Sequence, residues 1–299
     1  MNTNSSKQKF NTFLWGWLFL FPTVFGLSVL NIIPIFQTVW QSFFKTGAFG
    51  RGNKFIGFDN YIKMFQDATV WQALFNTFKY ALVEVPLSII FGVCAAVLLN
   101  RKIAGRSIYR TIYFLPMVAA PAAVAMVWRW LYNSEFGLLN HLLYGIGLRP
   151  VNWLSNPDTT FISIAFVGVW SVIGYNMILF LAGLQEIPHD YYEAAQIDGA
   201  GAVYSFFKIT LPLLSPTMFF VCVTRIIAAL QVFDTIYVML DRTSPSFYKT
   251  QSLVYLFYRY SFVESNKGYG SAIVLLLLVV IMIITRIQIR LQKRWVLYN

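Results

Sequence analysis

Three stretches of this 299-residue chain, residues 10–44, 159–185 and 268–285, contain no Asp, Glu, Lys or Arg. A helix needs roughly 20 mostly apolar residues to cross the hydrocarbon core of a bilayer, and the buried helices of a soluble core rarely need uncharged runs this long. Composition agrees: 58% of residues are apolar and 12% charged, where soluble domains have about half and a quarter, and mean hydropathy is +0.60. The chain is therefore expected to be all-α and polytopic. Adding the nearly uncharged stretches gives six transmembrane helices, at 13–33, 75–100, 112–132, 161–184, 211–233 and 270–289. Interior prolines such as Pro22, Pro86 and Pro121 are compatible with spans, because neighbouring helices can satisfy the freed carbonyls.

Short loops orient such a chain through their Lys and Arg residues. Arg101, Lys102, Arg106 and Arg110 follow the second span with no acid among them, and Arg286, Arg290, Lys293 and Arg294 end the sixth. With Lys7 and Lys9 they place both termini in the cytoplasm. The opposite loops mix their bases with Asp59, Asp67, Glu135, Asp158, Asp241 and Glu264. Trp15, Trp17, Trp40, Trp71, Trp128 and Trp130 lie near span ends, where interfacial anchors belong. The first apolar run is too long for a signal-peptide core and lacks a small-x-small cleavage site, so it reads as a retained span. The net charge of +11 sits beside helix ends, an orientation signal rather than a nucleic-acid surface. Cys94 and Cys222 fall in apolar segments and read as small buried hydrophobes. His141 and His189 lie far apart and are read without an i, i+4 partner, so neither a metal nor a catalytic site is expected.

One cytoplasmic loop defies the charge bias of its own side. Residues 185–208 carry Glu186, Asp190, Glu193 and Asp198 against Lys208, a pattern that suits a partner. Pro188 precedes Asp190, read as an N-cap with Glu193 three residues on. A short helix is expected over 191–197. Gly199 and Gly201 can take positive φ for a turn, and a second helix over 203–210 presents Phe206, Phe207 and Ile209. Leu211-Pro212 and Ser215-Pro216 then end it as the chain enters the fifth span. The product is a helix-turn-helix elbow on the cytoplasmic face.

The run Glu193-Ala194-Ala195-Gln196-Ile197-Asp198-Gly199-Ala200, followed by Ile209, Leu211 and Pro212, resembles the EAA loop of ABC-importer permeases. Glycine stands six residues after the Glu, I-x-L-P ten after the glycine, and the motif lies between the fourth and fifth spans. The chain resembles, over its whole length, the carbohydrate-uptake branch that includes the maltose, lactose and glycerol-phosphate permeases, most strongly over 75–290. The resemblance implies the type I importer permease fold, with a core at 75–290 containing the EAA loop at 185–216. Residues 1–74 would supply the N-terminal span and first outer loop, and 291–299 a cytoplasmic tail. It also implies that the elbow docks into a cytoplasmic ATPase subunit. Glu193 would contact that subunit, Ala194 and Ala195 would give a close-fitting face, Gly199 the turn, and Asp198 would stand at the same surface. Further implied partners are a second homologous permease, two ATPase subunits and an extracytoplasmic solute-binding protein.

No G-x-x-x-x-G-K-[ST] loop occurs, and Gly50-Arg-Gly-Asn-Lys54 is not one. Hydrolysis then belongs to another polypeptide; this chain is expected to be no enzyme and to hold no cofactor, with ATP bound by the partner. Polar residues inside spans are pathway candidates. Tyr175 with Asn176, and Gln231 with Asp234, combine an aromatic face, amides and a carboxylate suited to sugar hydroxyls. Asn176 can equally bond a neighbouring helix, and Arg225 can pair with Glu84 or Asp234 as structural glue. An oligosaccharide or disaccharide is the expected cargo, with glycerol phosphate or another polyol derivative as the alternative. An ion-coupled secondary transporter would want internal repeats and a carboxylate relay, and only scattered Glu84 and Asp234 are present.

Overall fold

The computed structural model describes residues 3–47, 53–101 and 103–297. Lys102, Gly50, Arg51, Gly52 and the side chains of Lys7 and Lys9 lie outside the described set. Helix α1 (Thr3–Leu27) runs through one π-turn, Ser28–Ile32, into α2 (Ile33–Gln41). An antiparallel hairpin of β1 (Phe44–Thr46) and β2 (Asn53–Phe55) sets Phe44 opposite Phe55. There follow α3 (Asp59–Gln66), α4 (Ala68–Asn100), α5 (Arg106–Val118), α6 (Pro121–Leu131) and α7 (Leu138–Gly145). Next come α8 (Pro157–Gln185), α9 (Asp190–Ile197), α10 (Ala202–Ser205), α11 (Leu211–Leu213) and α12 (Ser215–Leu230). The chain ends with α13 (Asp234–Met239), α14 (Pro245–Tyr248), α15 (Leu253–Tyr258) and α16 (Lys267–Trp295).

All six expected spans recur, but two are broken. Thr12–Gln41, α4, α8 and α16 are each long and apolar enough to cross a membrane. The third expected span, drawn as one helix over 112–132, is instead α5 and α6 meeting at 99°. Pro121 is the cause. Proline lacks an N–H and drives the residue before it out of the helical region, and Ala120 lies at ψ 130° with Pro121 at the first turn of α6. Pro22 and Pro86 stay inside α1 and α4 as expected. The fifth span bends by 65° between Leu213 and Ser215, with Leu214 fully buried at the bend.

The chain forms two compact units. The first comprises Met1–Gln66 and Tyr258–Leu275. In it the Asn60 amide donates to the Ser42 carbonyl at 2.8 Å and the Phe44 carbonyl at 3.0 Å, pinning α3 to the hairpin. The Gly268 N–H donates to Thr46 Oγ1 at 3.1 Å, and Lys63 lies over the Tyr269 ring.

The second unit, Asp67–Phe257 and Leu276–Asn299, is organised by α4 and α8. Small residues let these helices approach closely, as between membrane helices generally. A Cβ added at Gly92 would stand 2.8 Å from Asn176 Cβ, and one at Gly168 would strike the Tyr80 hydroxyl. On other faces of α8, Gly174 abuts the Tyr113 carbonyl of α5 and Gly183 abuts Thr217 of α12. Around this contact Leu99, Met177, Phe180, Leu184, Leu214 and Val221 make an apolar core. Nearer the other end the buried Asn140 amide accepts from the Val151 N–H and Trp153 Nε1, and donates to the Ser134 and Val151 carbonyls, closing the loop after α7.

Candidate functional site

Two places in the second unit gather the residues singled out by sequence. The first is the elbow. Helix α9 ends in a Schellman motif: the Ala200 N–H bonds the Ala195 carbonyl at 2.8 Å and the Gly199 N–H bonds the Gln196 carbonyl at 3.1 Å. This requires a left-handed residue at Gly199, whose φ is +76°. Gly201, expected to share that conformation, is extended at φ −72°, ψ 165° and serves as the N-cap of α10. The second helix, expected as regular over 203–210, is one α-turn at Ala202–Ser205 followed by a π-turn at Phe206–Thr210. The tie across the elbow is a 2.9 Å hydrogen bond between the Tyr192 and Thr210 hydroxyls.

The expected capping box does not form. Asp190 is the first residue of α9, and the N-cap is His189, already helical at φ −65°, ψ −28° with no side-chain cap. The Glu193 carboxylate instead lies 3.3 Å from His189 Nδ1, both groups exposed. His189 thus has the i, i+4 carboxylate that the sequence reading denied it. Among the described residues no cluster of three or more metal-ligating side chains occurs.

Seating and exposure are divided within the elbow. Phe206 and Ile187 pack on the apolar core, while Ile197 is 87% and Val203 72% exposed, with Phe207 also open. Glu193, Ala194, Asp198 and Gly199 are exposed beside that apolar crown. Ala195 is turned inward at 8% exposure, so the two alanines do not share a face.

The second place is a cavity of about 250 Å³ beneath the α5–α6 bend, lined by Tyr80, Ser171, Arg225, Gln231, Asp234 and Thr235 among apolar residues. It exists because Pro116 and Pro121 carry the chain around it and because α12 stops at Gln231 before α13 restarts at Asp234. Of the four pathway residues, Gln231 and Asp234 line it. Tyr175 is half-buried on α8 and does not. Asn176 is fully buried against Gly92, and neither its Oδ1 nor its Nδ2 has a partner. Arg225 Nη2 meets Glu84 Oε1 at 2.5 Å; Glu84 is wholly buried and its Oε2 is left unpartnered. Tyr80 and Thr235 were not singled out by sequence. Tyr80 carries one legible signal, a ring one helical turn before an intramembrane carboxylate at Glu84.

Residues 88–297 match the family model of the binding-protein-dependent transport system inner membrane component. The chain belongs to this family. It is a multi-pass inner-membrane permease of an ATP-driven importer, and not an enzyme, since hydrolysis in this family resides in a separate subunit. It is 35% identical to the trehalose/maltose transport system permease protein of Thermococcus litoralis, over 98% of each chain. It is 31% identical to the sn-glycerol-3-phosphate transport system permease protein of Escherichia coli, over 99% of this chain and 100% of that one. The fold is that of a chain of a bacterial alginate ABC transporter, with TM-score 0.85 over 96% of both at 23% identity. The permease therefore has the type I importer fold expected from its EAA loop.

Proposed function

We propose that this chain is one of two permease subunits of a sugar importer, coupled to its ATPase through the 185–216 elbow. The observation that carries the reading is the elbow's construction. Phe206 and Ile187 seat it on the core, and Ile197, Val203 and Phe207 stand exposed beside Glu193 and Asp198. An apolar crown edged by carboxylates fits a cleft with a basic rim, where Arg or Lys meets carboxylate in charge-assisted hydrogen bonds. Ala194 and Gly199 permit close approach, and Ala195 packs the helix to its own chain. Glu193 is the docking charge. Each of two ATPase subunits grips one elbow, this chain binds no cofactor itself, and both termini lie in the cytoplasm with the elbow.

The cargo is an oligosaccharide or disaccharide delivered by an extracytoplasmic solute-binding protein. The relatives' names include trehalose/maltose and alginate systems, and the cavity offers Gln231 and Asp234 to hydroxyl groups. At about 250 Å³ it falls below the roughly 300–1,000 Å³ of complete ligand pockets, so a second homologous permease supplies the remainder. The first span, none of whose most apolar window is buried within this chain, leaves surface for lipid and for that partner. Glycerol phosphate is the second reading, favoured by the glycerol-phosphate relative and by the presence of Arg225 in the cavity lining. Glu193→Lys in the reconstituted importer should reduce sugar uptake and binding-protein-stimulated ATP hydrolysis to background while insertion is unchanged. Normal uptake by that variant would remove the docking role.

A further inference from the structure

The two readings of the cargo differ in charge, and the cavity is informative on charge. Arg225 is the cation among its lining residues and Asp234 the anion. The Arg225 guanidinium is already committed: its Nη2 is bonded to Glu84, a side chain with no exposure, while Arg225 keeps 13%. An ion pair closed within the wall contributes little net field to the space beside it. Asp234 has no such partner. It is exposed and has no ion pair among the described residues. Arg129, on the neighbouring α6, does not line the cavity and donates instead to the Val238 carbonyl. The remaining polar lining, Tyr80, Ser171, Gln231 and Thr235, is uncharged.

We propose that this cavity selects uncharged polyhydroxyl cargo over phosphorylated, sulfonated or uronate cargo, with Asp234 the selecting residue and Glu84 the residue that cancels Arg225. This rests on the sugar-pathway reading above. A hydroxyl donates to the Asp234 carboxylate and accepts from the Gln231 amide without charge conflict. A phosphate or carboxylate in the same place meets a like charge and is repelled. Arg225 has further N–H donors, but with Glu84 beside it the pair brings no net positive charge to offset that repulsion.

The test uses the assembled importer in nanodiscs, with Cys94 and Cys222 replaced by Ala and Ser171→Cys as a reporter inside the cavity. Cationic and anionic methanethiosulfonates of equal size are compared, each normalised to its rate with a free thiol. The cationic reagent should react faster by at least about tenfold, the ratio that one unit charge about 6 Å away produces between the two reagents even at the dielectric of water. Asp234→Asn should abolish the preference, Glu84→Gln, which frees Arg225, should weaken it, and the two substitutions together should reverse it. Maltotriose should slow the modification and trigalacturonate should not, until Asp234→Asn is introduced. No cation preference, or one that survives Asp234→Asn, overturns the proposal even where maltotriose protects. A preserved charge preference with protection by neither sugar overturns instead the assignment of this cavity to the sugar pathway. Where Glu84→Gln fails to assemble, the Asp234→Asn comparison decides alone.

Discussion

Removing Arg225 should damage this permease more than removing both members of its ion pair. Glu84 is fully buried at mid-length of α4, and Arg225 on α12 meets it through one guanidinium nitrogen. Arg225→Met strands a carboxylate with no water and no counter-charge. Breaking a buried pair in this way costs about 3–5 kcal/mol. Glu84→Gln leaves the guanidinium an acceptor and some exposure, so its cost should be nearer that of one lost charged hydrogen bond, about 1.5–3 kcal/mol. The double variant Glu84→Met/Arg225→Met replaces the pair with apolar side chains of similar volume and should lie near wild type or up to about 4 kcal/mol above it. Reversible unfolding of the purified chain in mixed micelles, read by tryptophan fluorescence, compares the three variants with wild type. An Arg225→Met variant as stable as wild type, or a double variant no more stable than Arg225→Met, would refute a buried pair as the link between α4 and α12. Because the pair contributes little net field, the double variant should also keep the cation preference of the cavity.

Gly174→Ala should destabilise the chain by about 1–3 kcal/mol by overpacking, since its Cβ would fall on the Tyr113 carbonyl of α5. Gly16→Ala, inside α1 with nothing within 4 Å, is the control that should not destabilise and should gain up to about 1 kcal/mol from helix propensity. Asn176→Leu removes a buried amide whose two polar atoms have no partner, so stability should rise by about 1–3 kcal/mol. Uptake should persist in that variant, because Asn176 does not line the cavity; a folded but transport-dead Asn176→Leu would return the residue to the pathway.

The legible parts of this permease are those fixed by solvent or by short-range geometry. Lipid forbids stray charge, so residues 10–44 and 268–285 announce their spans directly. The turn after Glu193 was readable because a Schellman motif needs its left-handed residue just past the helix, and Gly199 stands there. His189 and Glu193 carried an equally local signal in their i, i+4 spacing, and it was passed over. Three features depend on contacts that no local pattern contains. Pro22, Pro86 and Pro121 look alike in apolar runs, yet only at Pro121 does the helix end, and the cavity owes its existence to that break. Arg225 had two candidate partners, Glu84, 141 residues away, and Asp234, until α4 and α12 packed. Tyr175 and Asn176 had the right chemistry for a sugar, but helical phase turned Asn176 toward Gly92 and left the cavity to Gln231 and Asp234.

The most direct test of the account is the native mass of the complex that co-purifies with this chain from membranes, measured with wild type and with Glu193→Lys. The wild-type chain should appear with one homologous permease and two ATPase subunits, and Glu193→Lys should leave the permease pair without its ATPases. A wild-type chain that is recovered alone and still transports sugar would contradict it.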